Sequence, residues 1–168
     1  MEFIISDMNT KAEPYITTDP VVIDFPASKA SISGIELIRG YEKTESPGIL
    51  TKSGYDLYPY VFNFFPESVN VVMFYTEFYN TDKEFGEGGK FVYNIHIQSF
   101  ETGSILKEFS TAKVGLGSAV VPIMKDINIR ELPSGNYFVL VELRDENNEV
   151  VTSNRLFFQR SNPSIRFN

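Results

Sequence analysis

The chain has 168 residues, 42% hydrophobic and 14% aromatic, enough to close a core of ordinary domain size and to argue against a disordered chain. Fifteen Lys and Arg stand against 22 Asp and Glu, a formal charge of −7. That balance argues against nucleic acid and anionic membrane surfaces as partners, because phosphate neutralisation needs clustered cations. Without cysteine there is no disulfide, no thiolate nucleophile and no Cys-based zinc site.

In chain order, Met1 to Asp7 is a short apolar run with strand character, and Asn9 to Pro14 reads as a linker. Val21 to Phe25 is a β-branched run ended by Pro26. Ser31 to Arg39 suggests a further strand stopped at Gly40. Glu42 to Tyr55 is polar and contains Pro47, Gly48 and Gly54, so a boundary is expected there. Residues 1–55 are therefore expected to be extra N-terminal strands and linker, or the tail of a preceding domain, with a sandwich over residues 56–163.

Beyond this point the pattern is regular. Tyr60 to Phe65 is an aromatic strand between Pro59 and Pro66, and Val69 to Asn80 is apolar on both faces, as a central strand is. Thr81 to Lys90 is a glycine-rich loop. Phe91 to Phe100 alternates, with Val92, Asn94, His96 and Gln98 sharing the polar face. A turn at Glu101–Ser104 leads to Ile105–Ser110, and Ala119–Ile129 is a strand kinked near Pro122. The closing hairpin runs from Leu132 to Arg160. Its first strand has Tyr137, Val139, Val141 and Leu143 on the core face, and its tip is the acidic turn Asp145–Glu149. Alanine is scarce and Pro and Gly recur too often for sustained helix. The fold class is all-β: an immunoglobulin/fibronectin III-like β-sandwich of about seven strands with extra N-terminal strands.

Few residues suggest chemistry. His96 is the sole histidine, and its alternation makes it an exposed residue without triad partners. The acidic tip Asp145, Glu146, Asn147 and Glu149 lacks the spacing and internal glycine of a calcium loop. Gly86–Gly89 and Gly115–Gly117 lack the helix start that a phosphate cradle needs. Glu77 and Glu142 would need to meet for glycosidase work, and nothing in the sequence brings them together. No catalytic, cofactor or metal residues are therefore assigned. The aromatic group Tyr55, Tyr58, Tyr60, Phe62, Phe64 and Phe65 reads mainly as core. Tyr55, Tyr58 and Tyr60 are the candidate ligand or partner surface, since exposed rings stack on sugars or proteins.

Leu132-Pro133-Ser134-Gly135-Asn136-Tyr137 resembles the turn before the penultimate strand of fibronectin-type and immunoglobulin-like domains, where a tyrosine ties back to the backbone. Tyr137 is the candidate for that corner. Phe74–Phe85, Leu132–Asp145 and Phe157–Pro163 together resemble segments of bacterial envelope proteins with tandem immunoglobulin-like domains, a likeness spanning Ser33 to Pro163. Some of those proteins carry a GWxTD domain; the GWxTD motif is absent here. The resemblance implies export and transfers no catalytic residue. The expected protein is a non-catalytic module of a secreted or cell-envelope protein with a structural or protein-binding role, and the alternative is a carbohydrate-binding module. A protein partner or neighbouring domains are expected, with a glycan as the second possibility and no direct membrane insertion. The start lacks a cationic n-region and cleavage site. The expected location is therefore periplasmic, cell-surface or secreted, as a fragment without its signal peptide, with the cytoplasm as the other option.

Overall fold

The computed structural model describes residues 2–22 and 25–165, and within them it is an all-β sandwich with one short helix. The strands are β1 (Glu2–Ile5), β2 (Tyr15–Thr18), β3 (Ser31–Ile32), β4 (Glu36–Lys43), β5 (Thr51–Lys52), β6 (Tyr55–Pro59) and β7 (Phe64–Phe65). They continue with β8 (Val71–Tyr79), β9 (Lys90–Ser99), β10 (Ile105–Leu116), β11 (Val120–Asn128), β12 (Gly135–Arg144) and β13 (Val150–Arg160). The helix, α1 (Thr81–Phe85), lies between β8 and β9.

One sheet has the order β10-β9-β12-β13-β7; the other runs β11-β8-β4-β6-β5, with β3 also on β8. Strands β7 to β13 account for the seven-strand body, and β3 to β6 widen the second sheet. Residues 30–55 thus supply β3, β4 and β5, and Ala30, Ile32, Ile35 and Leu37 lie in the core. Among the described residues, strands β1 and β2 pair only with each other, in a separate ribbon whose Phe3, Ile4, Ile5, Tyr15 and Ile16 are exposed. The expected strand at Val21–Phe25 includes Ile23 and Asp24, which lie outside the described residues. Its described members Val21, Val22 and Phe25 are not in a strand.

The sheets close on each other through aromatic residues. Phe78 of β8 meets Tyr93 and Phe91 of β9 edge-on, at centroid distances of 5.3 and 6.0 Å. At the other end Phe65, Phe158 and Tyr137 form a chain of ring contacts. Such rings bury large apolar areas and dominate core energetics. On β12 the whole expected face, Tyr137, Val139, Val141 and Leu143, is buried.

Three elements depart from the sequence reading. Tyr60–Phe65 is not one strand: Tyr60 leaves the ladder of β6, and the chain rejoins a sheet only at Phe64–Phe65, parallel to β13. The proline pair explains this, since neither Pro59 nor Pro66 donates to a ladder. Thr81–Phe85 is one helical turn, with Thr81 Oγ1 donating to the Ser118 carbonyl. Ile105–Leu116 is a single strand carrying a large bulge.

Tyr137 makes the expected corner. Its buried hydroxyl donates to the Pro133 carbonyl at 3.1 Å, and burial pushes the phenol up to about 12. Gly135 makes room for it, because a Cβ there would lie 2.9 Å from the hydroxyl. Tyr137→Phe should leave the Pro133 carbonyl without this partner and cost about 1–3 kcal/mol, read as a lower urea midpoint with an unchanged m-value.

Candidate functional site

The candidate site is the outer face of the five-stranded sheet, built by period-2 alternation on three central strands. Outward residues are Asn94, His96 and Gln98 on β9, Phe138, Leu140, Glu142 and Arg144 on β12, and Ser153, Arg155 and Phe157 on β13. Register sets them in rows. Gln98, Phe138 and Phe157 lie side by side; next come His96, Leu140 and Arg155, then Asn94, Glu142 and Ser153.

The first row is aromatic and open. Phe100, 54% exposed, lies 5.5 Å from both Phe138 and Phe157, which are themselves 6.0 Å apart. The Arg155 guanidinium sits 4.2 Å from the Phe138 centroid, within cation–π range. A shallow groove of about 380 Å³, lined by Gln98, Leu140, Glu142, Ser153, Asn154 and Arg155, continues beside it.

The next rows are polar and closed. Leu106 pairs with Ile97 and Thr111 with Ile95, so the four residues 107–110 face His96 alone. That bulge brings Ser110 Oγ to 2.9 Å from His96 Nδ1, while Glu142 Oε2 lies 3.5 Å from Nε2. The carboxylate favours the tautomer with its proton on Nε2, and the single Ser110 proton is then shared between Nδ1 and the Leu106 carbonyl. Arg144 donates to Glu142 Oε2 through Nε and Nη2, and through Nη1 to the Asn148 carbonyl of the hairpin tip. His96 is therefore not the exposed, partnerless residue that alternation suggests: its side chain is only 12% exposed and it has two partners. A nonlocal bulge supplied one of them. Burial chiefly holds its pKa below the ordinary histidine value; Glu142 opposes this and Arg144 adds to it.

Ser110, His96 and Glu142 are the residue types of a nucleophilic relay. Here Arg144 already holds the carboxylate, and the serine hydroxyl also lies 3.0 Å from the Leu106 carbonyl. The cluster acts as a strut joining the β10 bulge, β9, β12 and the hairpin tip.

Glu77 lies on β8, on the outer face of the other sheet, so it and Glu142 are on opposite sides of the sandwich. Burial would raise the Glu77 carboxyl, but hydrogen bonds from the Tyr75, Tyr79 and Ser53 hydroxyls, with nearby Lys52, outweigh it and hold the carboxyl below its ordinary value. Tyr79 is pushed up to about 12 by burial and by Glu77, and Tyr75 is raised further. Ser53 and Gly54 both have positive φ and form the two-residue turn between β5 and β6. Glu77 thus latches that hairpin over Tyr75, which is buried with Ile38 and Leu57.

Tyr55, Tyr58 and Tyr60 do not share one surface. Tyr55 and Tyr58 alternate to opposite faces of β6. Tyr55 meets the Tyr41 ring edge-on at 5.8 Å, and Tyr58 donates to Glu42 at 2.6 Å. Tyr60 stacks on buried Phe65 and donates to the Phe64 carbonyl. Val61, Phe62 and Phe64 are exposed beside them. At the acidic tip, Asp145 Oδ1 accepts from the amides of Asn147 and Glu149, so this carboxylate organises its own turn. Among the described residues, no group of three or more acidic or imidazole side chains is arranged to hold a metal, and no helix is long and apolar enough to cross a membrane.

The fold and this face define the class: an all-β sandwich domain with a phenylalanine patch on the outer face of its five-stranded sheet. No protein-family model matches the chain, and no curated protein does. Among solved structures, a selenomethionine-labelled β-glucosidase from Kluyveromyces marxianus is similar at a TM-score of 0.32 and 11% identity, covering 76% of this chain and 15% of that one. Likeness at that level carries no argument about function.

Two measurements test the clusters. A depressed histidine pKa means that the unfolded chain binds more protons, so stability is full above the unfolded value near 6.5 and falls as pH drops below it. As the sole histidine, His96 should account for a loss of denaturant stability between neutral pH and pH ~5.5, and His96→Gln should flatten it. Glu77→Gln should cost about 1–3 kcal/mol and speed amide exchange across residues 51–57, leaving β12 protected.

Proposed function

We propose that this chain is a non-catalytic β-sandwich module that works by protein contact, through the outer face of its five-stranded sheet. The observation that supports the reading most directly is the cluster of Phe100, Phe138 and Phe157 with Arg155 on that face. Aromatic residues and arginine are the types enriched at protein interfaces and their hot spots. Phe100 is more than half exposed, and Phe138 and Phe157 are partly exposed. Phenylalanine lacks the polar handle that sugar-stacking tyrosine or tryptophan offers, which favours protein over glycan. The glycan alternative draws on Tyr55, Tyr58 and Tyr60, two of whose hydroxyls bond to their own chain.

Residence in a secreted or cell-envelope protein, beside further immunoglobulin-like domains, belongs to the same proposal and rests on the sequence resemblance.

Photo-crosslinking tests the contact role in the producing cells. Benzoylphenylalanine in place of Phe100 should capture a polypeptide on irradiation, and Arg155→Glu in the same chain should suppress the product. The same label at fully exposed Ile49 serves as control. A Phe100 yield no higher than the control's removes the reading.

A further inference from the structure

We infer that the polypeptide engaged by this face is a second copy of the chain, in a two-fold, isologous dimer. The inference rests on the contact role proposed above and names its partner. Its ground is the charge arrangement around the rings. Arg155 lies at one end of the aromatic patch, exposed, and no carboxylate pairs with it among the described residues. Glu101 follows Phe100 in the turn after β9, also exposed, and its carboxylate accepts from uncharged groups, among them Asn136 Nδ2 at 2.9 Å and Ser99 Oγ at 3.4 Å. Those neutral donors hold the carboxyl below its ordinary value.

Arg155 pairs with Leu140 of β12, and Asn136, which holds Glu101, is four residues back along the same strand. At roughly 3.3 Å per residue the two attachment points are about 13 Å apart along the strand, and the Arg155 guanidinium leans back over the Phe138 ring, which shortens the distance between the charges. A patch with one uncompensated cation at one end and one uncompensated anion at the other is complementary to itself. A two-fold axis lying in the contact plane, midway between the two charges, sets Arg155 of each copy against Glu101 of the other. The same operation brings the two sets of phenylalanine rings together in the middle, where an interface core should be apolar. The side chains need no rearrangement, because Asn136 already holds Glu101 and the Phe138 ring already carries Arg155.

Sedimentation velocity on the isolated chain, from low micromolar to near-millimolar concentration, tests this. A concentration-dependent dimer is expected. Arg155→Glu and Glu101→Arg should each raise its dissociation constant about tenfold or more, and the double reversal should bring it back close to the parent value. Phe100→Ser, at an exposed position that spares the core, should also weaken it about tenfold. Near-ultraviolet circular dichroism confirms that each variant keeps its packing. A chain that stays monomeric throughout overturns the inference, as does a dimer indifferent to all three positions or one the double reversal does not restore. A monomer whose Phe100 label still captures a different polypeptide overturns the dimer alone, whereas a monomer without any Phe100-dependent capture overturns the contact role as well.

Discussion

Strand β8 is covered on both faces, and the rest of the sandwich is arranged around that requirement. Its inner side chains, Val72, Phe74, Thr76 and Phe78, are fully buried against the facing sheet. The one polar member, Thr76, shares a hydrogen bond with Ser33 from the segment joining β3 to β4, so the buried hydroxyl is satisfied. On the outer side Tyr75 is also buried, and this needs a lid. The β5–β6 hairpin provides it, turning tightly at Ser53–Gly54, and Glu77 fastens it by accepting three hydroxyls. An unpaired carboxylate here would be costly; with three donors it becomes an anchor.

The two outer faces consequently differ. That of the six-stranded sheet is closed by its own hairpin, by the Tyr–Glu–Tyr latch and by an ion pair between Lys52 and Glu36. That of the five-stranded sheet is closed only in its polar half, where the Ser110–His96–Glu142–Arg144 strut fills the space between strands. Its aromatic half has no lid. Partly exposed phenylalanines gain nothing from solvent, and singly they would need no explanation. Three in mutual contact, with an arginine laid over one of them, form a contiguous patch of the kind that marks an interaction surface.

Much of this was legible in the sequence, wherever alternation and turn chemistry act locally. The alternation of Phe91–Phe100 and Tyr137–Asp145 gives the correct buried faces, and Leu132–Tyr137 announces the tyrosine corner. The double-sided apolar character of Val69–Asn80 identifies the central strand. What escaped depends on contacts between distant segments. Ser110 reaches His96 only because the β10 bulge opposes that one residue, and bulges have no reliable local signature. Tyr60–Phe65 looks like one strand because its composition is right, yet the chain between Pro59 and Pro66 crosses from one sheet to the other. The aromatic patch draws on the turn after β9 and on strands β12 and β13. Phe138 and Phe157 become neighbours through register, which sequence spacing alone does not fix.

The sheet edges explain why contact should run through a face. Unpaired edges are the ordinary liability of β proteins, and three edges of the sandwich are blunted. Along β13, Asn154 turns its side-chain oxygen onto the Arg155 amide and its nitrogen onto the Ser33 carbonyl, while Asn63 takes the Gln159 amide and Phe64–Phe65 pairs with the strand end. On β10 the bulge breaks the hydrogen-bonding row, and Lys107, Glu108 and Lys113 are exposed. On β11, Pro122 removes a donor at a position only an edge strand tolerates. With the edges blunted and a formal charge of −7 keeping copies apart at long range, association falls to short-range apolar burial. The aromatic half of the five-stranded sheet's outer face offers it.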